Sequence, residues 1–391
     1  MSALIYLVDD EALLVEMLSQ YLAKANKNWR VETFSEPRLA LEAVGKIQPN
    51  VVISDFAMPG MTGTALLEQV RLDAPHTIRI LISGFANPKA MGNKISAAHQ
   101  YLAKPFSLAD IRSKIQKALN ALERFQNPEI RGTVLSIRTL PAMPSIYYEL
   151  LTALEDADNS YTDVVDILAK DSVISAKILQ MSNSPLCREG GAAVIDLLQA
   201  ITMLGTERIK AAVLSHQLFG SYTPIPEYFC PGTLSQHRWD TANTAFKMAV
   251  RMGLTEDQVR DAYVAGLMHD MGRLVLLDNF AVPYREACLR ALSEKKTLAV
   301  IEQETFKMTQ ADVIGFLVSL WGMRDRISNA IIYHEKPWEA PDQDTMQTAT
   351  AVYLAHIVSN KFRRSEKFEQ PLANNDFLQQ QNLLQLLTEK R

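Results

Sequence analysis

Three carboxylates stand at the ends of two apolar stretches: Asp9 and Asp10 follow Ala3-Leu-Ile-Tyr-Leu-Val8, and Asp55 follows Val51-Val-Ile-Ser54. Like charges held within a few ångströms repel, so such a group persists only if a cation neutralises it or one member keeps its proton. A hard divalent metal suits an all-oxygen set. Further on, Ile78-Arg-Ile-Leu-Ile82 ends in the hydroxyl of Ser83, and Tyr101-Leu-Ala103 runs into Lys104-Pro105. Acids, hydroxyl and ammonium are together the parts of a phosphoryl-transfer site, in which the acids bind metal, Asp55 is the nucleophile, and Ser83 and Lys104 bind its phosphate. Each piece alone has a plainer reading, since Asp after a strand is often a turn residue or helix cap and Ser-Gly is an ordinary turn pair. It is their order along the chain that points to chemistry.

These residues meet only if the stretches that carry them lie side by side. The hydrophobic pattern predicts strands near 3–8, 29–34, 51–54, 78–82 and 101–103, alternating with helices near 12–25, 36–46, 63–72, 89–98 and 107–124. Ser35 and Ser107 are candidate N-caps, and Pro37 suits a first turn. The pattern is that of an α/β doubly wound, five-stranded parallel sheet. In such a sheet, ligands gather in the crevice at the carboxyl ends of the strands.

The segments V-D-D-E, S-D-F-A-M-P-G-M-T-G, L-I-S-G and Y-L-A-K-P-F resemble the receiver domain of two-component response regulators, a flavodoxin-like fold, over residues 1–125. The resemblance implies that Asp55 is the phospho-acceptor, served by a histidine kinase. It further implies a Mg2+ site made by Asp9, Asp10, Asp55 and the Ala57 backbone carbonyl. Ser83 and Lys104 would be the phosphate-sensing pair and Tyr101 the aromatic switch, with the last receiver helix extending as a linker.

A chain of 391 residues is long enough for two or three domains, each with its own core. A net charge of -4 and a pI near 6.0 argue against a predominantly electrostatic nucleic-acid binder. Cys187, Cys230 and Cys288 have neither zinc-ligand nor redox spacing and read as reduced core residues. The first apolar run lacks a basic leader and meets Asp9 at once, and no stretch approaches the length of a membrane span. A soluble, cytoplasmic protein is expected.

Past residue 125 the period becomes that of amphipathic helices. The ordered segments L-P-A-M-P-S, L-A-K-D-S-V-I-S-A-K-I-L-Q-M-S-N-S-P-L and L-L-Q-A-I-T-M-L-G-T-E-R-I-K resemble the all-α HDOD output domain, a relative of the HD phosphohydrolases. The likeness is placed at 133–340, with 341–391 forming additional helices that pack on the domain or extend it.

His237, His269, Asp270, His334 and His356 fall in this half. Neutral imidazoles and a carboxylate on neighbouring helices are able to bind a transition metal, which lowers the pKa of a bound water. By resemblance to the HD phosphohydrolases, His237 matches an early metal ligand, His269-Asp270 the His-Asp doublet and His334 a later ligand. Two positions depart from that pattern: Gln310 stands where a further His would fall, and His356 where a closing Asp is expected. Both changes work against a two-metal hydrolase centre. What remains is either a set of buried polar residues bonded to carbonyls and to one another, or a single transition-metal ion held by His237, His269, Asp270 and His356.

The expected output is therefore a non-catalytic binding module for a downstream signalling protein or a nucleotide second messenger. The alternatives are a phosphorylation-gated, metal-dependent phosphodiesterase of cyclic dinucleotides or other nucleotides, and a nucleotide sensor that the receiver merely tunes. The surface remodelled by the receiver switch would pair two copies in a homodimer or release an intramolecular clamp. Arg208-Lys210 and Arg324-Arg326 read as solvated helix faces, and 377–387 as one amphipathic terminal helix.

Overall fold

The computed structural model describes residues 3–84, 98–124, 161–183, 194–206, 208–213, 231–321, 323–361 and 373–387, together with 146, 149, 150, 153 and 154. The chain divides into two compact units. In the first, β1 (Ala3–Val8), β2 (Trp29–Phe34), β3 (Val51–Asp55), β4 (Ile78–Ser83) and β5 (Gln100–Ala103) form one five-stranded sheet in the order β2-β1-β3-β4-β5, with every pairing parallel. β3 and β4 are buried throughout. They read as unbroken apolar runs because a parallel sheet is covered on both faces.

Helices α1 (Ala12–Ala25), α2 (Pro37–Lys46), α3 (Gly63–Asp73) and α4 (Leu108–Arg124) accompany this sheet. The helix expected near 89–98 lies outside the described residues. Ser107 caps α4 as expected, its Oγ accepting from the Asp110 N–H at 3.2 Å while its own N–H donates to Asp110 Oδ2 at 2.8 Å. Ser35 does not cap α2. Pro37 is the first helical residue, which makes Glu36 the N-cap, without a side-chain bond. Proline lacks an N–H and has a helical φ, so it sets the first turn one residue later than the serine would have done.

The register explains how distant residues converge. Val8 pairs with Ser54, Asp55 with Ile82, and Ser83 with Ala103. Asp9, Asp55, Ser83 and Lys104 therefore end neighbouring strands at one edge, and the sheet order reverses there between β1 and β3.

The second unit is helical. Its described helices are α5 (Tyr161–Ala169), α6 (Ser172–Ser182), α7 (Leu197–Leu204), α8 (Pro231–Arg251), α9 (Glu256–Met268), α10 (Gly272–Asn279), α11 (Ala281–Glu294), α12 (Leu298–Phe306), α13 (Gln310–Leu320), α14 (Asp325–Ile332), α15 (Gln343–Lys361) and α16 (Asn375–Gln380). Small residues let the central helices approach: Ala242, Ala245 and Ala249 are buried on α8, and a Cβ on Gly266 of α9 would stand 3.0 Å from Ala242 Cα. A Thr255/Gln258 capping box starts α9.

Two surface expectations are corrected. Arg208 lies over the rings of Phe246 and Tyr263 at 4.3 and 5.0 Å, a cation–π arrangement. Arg326 Nε and Arg324 Nη1 reach the buried Asp261 at 2.6 and 3.3 Å. A carboxylate out of water demands counter-charge, and these arginines supply it. The terminal helix expected over 377–387 is also broken. Asn382 adopts φ +56°, so α16 stops at Gln380 and a 3-10 turn follows at Leu384–Leu387, while Phe377 and Leu378 dock into the core. Cys288 is buried and reduced; Cys187 and Cys230 lie outside the described residues. No described helix is long and apolar enough to cross a membrane.

Candidate functional site

At the carboxyl edge of the sheet, Lys104 Nζ lies 2.6 Å from Asp55 Oδ1, 3.2 Å from Asp9 Oδ2 and 3.9 Å from Glu11 Oε1. Asp9 and Asp55 are buried and Asp10 is exposed beside them. Burial raises the pKa of Asp9 above the usual carboxylate value. The Glu11 N–H opposes that shift, and the charge of Asp55 adds to it. Burial also pulls Lys104 down, but its hydrogen bond and attraction to Asp55, then to Asp9, outweigh this and hold the ammonium above its ordinary range. One fixed cation thus compensates two buried acids.

The turn after β3 is built tightly around Asp55. The Ala57 N–H donates to Asp55 Oδ2 at 2.7 Å, and the Gly63 N–H donates to the Phe56 carbonyl at 2.9 Å. A Cβ on Gly63 would stand 1.9 Å from the Asp55 carbonyl oxygen, so only glycine allows this closure. Ser83 is buried at the end of β4, and its carbonyl accepts from the Lys104 N–H at 2.7 Å. Tyr101 pairs with Leu81 through the backbone; its side chain lies outside what the structure describes. By chemistry the oxygen donors Asp9, Asp10 and Asp55 suit a hard cation such as Mg2+, but among the described residues their oxygens do not converge within 4.8 Å as the donors of the histidine groups do.

In the helical unit, four histidines from separate elements converge. His237 lies on α8, His269 directly after α9, His334 just beyond α14 and His356 on α15, all at most 5% exposed. Their ring centroids are 5.2 to 6.1 Å apart for the pairs in contact. Ligand atoms of His237, His269 and His356 all lie within 4.8 Å of one another, as do those of His334, Glu335 and His356. His269 Nδ1 is 2.8 Å from the Gly266 carbonyl, and His334 Nδ1 is 2.6 Å from that of Ile331. A carbonyl only accepts, so both rings carry hydrogen on Nδ1 and the lone pair on Nε2, the tautomer suited to a metal ligand. Imidazole donors fit a transition-metal ion.

Asp270 belongs to neither group. Its Oδ1 lies 4.0 Å from Arg238 Nε, with both side chains 2% exposed. Burial pulls the Arg238 pKa down to about 9 against the opposing pull of Asp270. Gln310 braces the cluster from outside it, because its Nε2 donates to the His269 carbonyl at 2.8 Å. The Gln310 N–H donates to Glu302 Oε2 at 2.8 Å, and the Tyr284 hydroxyl donates to Glu302 Oε1 at 2.7 Å. A Cβ on Gly272 would meet the Gln310 carbonyl oxygen at 1.9 Å, so the glycine after the His-Asp doublet is what lets α13 start here. Arg238, Glu302 and Glu335 escaped the sequence reading. Arg238 and Glu335 directly follow two of the histidines, which is the one signal in the chain that would have drawn attention to them.

Burial pushes Glu302 up to about 7. Between its unfolded value near 4.5 and about 7, the folded chain binds the extra proton. Stability should therefore fall by about 3 kcal/mol as pH rises through that window, then level off. Urea midpoints at pH 5 and pH 8 should differ less in Glu302→Gln than in the parent chain; an equal difference in both would assign the slope to other groups.

Comparison with known proteins agrees with this division. The HDOD domain model matches residues 140–337, about half of the chain, and the response regulator receiver domain model matches residues 5–116. The DNA-binding transcriptional regulator NtrC of Escherichia coli K12 is 29% identical over 149 residues, covering 37% of this chain and 31% of NtrC. The C4-dicarboxylate transport transcriptional regulatory protein DctD of Pseudomonas aeruginosa is 26% identical over 222 residues, covering 55% of this chain and 46% of DctD. The chain thus spans less than half the length of these curated relatives. Among solved structures, an HDOD domain protein of unknown function from Geobacter sulfurreducens is 22% identical with a TM-score of 0.49, covering 68% of this chain and 85% of that one. The Vibrio cholerae chemotaxis protein CheY4 is 28% identical with a TM-score of 0.28, covering 30% of this chain and 99% of that one. The chain accordingly belongs to the HDOD domain family and is a response regulator in which a receiver domain precedes an HDOD output domain.

Proposed function

We propose that Asp55 accepts a phosphoryl group from a histidine kinase and that its phosphorylation controls an HDOD module working by binding. The receiver is taken as 1–125, the HDOD domain as 133–340, and 341–391 as its additional helices. Mg2+ is held by Asp9, Asp10, Asp55 and the Ala57 carbonyl. The observation that carries this reading is Lys104 Nζ at 2.6 Å from Asp55 Oδ1, a cation already placed to follow a growing negative charge. The phosphorylated residue draws Ser83 and Lys104 towards it, and Tyr101 turns in response. Two charge-assisted hydrogen bonds supply about 3–6 kcal/mol. A swing from mostly off to mostly on requires about 5.5 kcal/mol of differential binding, so the bonds just suffice. The remodelled face then pairs two copies or frees a clamp, and the module engages a signalling protein or a nucleotide second messenger in the cytoplasm.

Hydrogen exchange on the full chain tests the control. With acetyl phosphate and Mg2+, amides in α8 and α15 should change protection in the parent chain and stay constant in Asp55→Asn. Identical exchange with and without acetyl phosphate would overturn phosphorylation-dependent control.

The histidine group favours a second reading, in which one transition-metal ion sits among the imidazoles and phosphorylation gates hydrolysis of a cyclic dinucleotide or similar phosphodiester. Turnover by the metal-loaded chain that is lost in His269→Ala would select this reading over the binding module. Absence of turnover would select the binding module.

A further inference from the structure

We infer that the carboxylate ligand of the helical centre is Glu335 and that Asp270, the acid of the His-Asp doublet, is withdrawn from it. This rests on the reading that the centre takes a single transition-metal ion. Among the described residues, Glu335 is the one carboxylate in either group of clustered donor atoms, and it stands there with His334 and His356. Its Oε1 lies 4.0 Å from His334 Nε2. That nitrogen is buried without a hydrogen-bond partner, and the Nδ1–H bond to the Ile331 carbonyl fixes its lone pair in place. A nitrogen held ready and left unsatisfied in the core is costly unless something binds it. Glu335 keeps 23% of its side chain exposed, which gives an ion a route in from solvent.

Asp270 is placed differently. Its oxygens likewise lack a hydrogen-bond partner among the described residues, but here Arg238 Nε stands 4.0 Å away in an equally buried position and supplies the positive charge. A guanidinium there opposes the approach of a divalent cation to the same carboxylate, because two positive centres would share one buried negative charge. Arg238 thus occupies the electrostatic place that a metal would otherwise fill beside the doublet. With His356 standing where a carboxylate was expected, Glu335 supplies the only negative charge among the clustered donors, and the ion keeps a net positive charge with which to hold an anionic ligand. Burial is the chief cause that raises the pKa of Glu302 and of Asp312, and the charge of Glu335 adds a smaller push to both. A cation bound at Glu335 relieves that repulsion.

Cobalt(II) is the probe. The full-length chain, stripped of metal, is titrated with Co2+ while the visible absorption and the metal content are followed. About one Co2+ per chain is expected, and Glu335→Gln should weaken binding by about 10- to 100-fold and shift the absorption. Because Asp270→Asn alone removes the charge that faces Arg238, the control is the double variant Arg238→Met with Asp270→Leu, checked for fold by circular dichroism. Its Co2+ affinity should stay close to that of the parent. Failure of the parent chain to bind Co2+ would overturn both the single-ion reading and the role of Glu335. Binding that Glu335→Gln leaves unchanged, or that the folded double variant loses, would overturn the role of Glu335 alone.

Discussion

Asp55→Asn should carry no acid-labile phosphate after exposure to acetyl phosphate and Mg2+, whereas the parent chain is labelled under the same conditions. The amide is a poor nucleophile and takes away one of the acids proposed to hold the cation. The change should leave the receiver folded. The side-chain carbonyl oxygen of the substituted asparagine can still accept the Ala57 N–H, and Lys104 keeps Asp9 at 3.2 Å. The charge of Asp55 is among the causes that raise the Asp9 pKa, so its removal also lessens a repulsion within the site. A thermal midpoint near or above that of the parent is therefore expected alongside complete loss of label. Label retained in Asp55→Asn would move the acceptor to another carboxylate and undo the assignment of roles among Asp9, Asp10 and Asp55. Loss of label with a collapsed midpoint would mean instead that Asp55 is needed to hold the turn through Gly63.

The second large effect is expected in the helical unit. Asp270→Ala should cost about 3–5 kcal/mol, because it removes the buried carboxylate that faces the Arg238 guanidinium, itself 2% exposed. Replacing both members by apolar residues, Arg238→Met with Asp270→Leu, should restore most of that loss, since desolvating the pair is costly in the first place. Calorimetry on the single and double variants measures both. A cost below about 1 kcal/mol for Asp270→Ala would show that Arg238 is neutralised elsewhere, and would remove the reason for keeping a divalent ion away from Asp270.

The two halves differ in how much of them could be read before folding. β1, β3, β4 and β5 announced themselves as apolar runs ending in Asp9, Asp55, Ser83 and Lys104. A parallel sheet brings such ends together by rule, so sequence order was nearly equivalent to geometry. The N-cap of α2 was misplaced by one residue because Pro37 governs the first turn more strongly than Ser35 does. In the helical half, the histidines were visible as residue types, and their convergence is what the structure adds. Gln310 looked like a ligand lost and is a brace on the His269 carbonyl. Arg208 and Arg326 looked like solvated charges and are spent on aromatic rings and on Asp261, whereas Arg324 stays exposed while it also reaches Asp261. A helix exposes every residue type to some neighbour, and which neighbour depends on crossing angle and rotation rather than on spacing along one chain segment.

Residue order alone was enough to place the receiver's acids, hydroxyl and ammonium at the ends of neighbouring strands, because period-2 backbone geometry and parallel pairing leave little else to decide. Which acid answers which cation was settled by packing. Lys104 bridges Asp55 and Asp9, Arg238 faces Asp270, and Glu335 stands with His334 and His356. Charge pairing in a buried site is set by distances of a few ångströms across elements far apart in sequence, and those distances exist only once the helices and the sheet have packed.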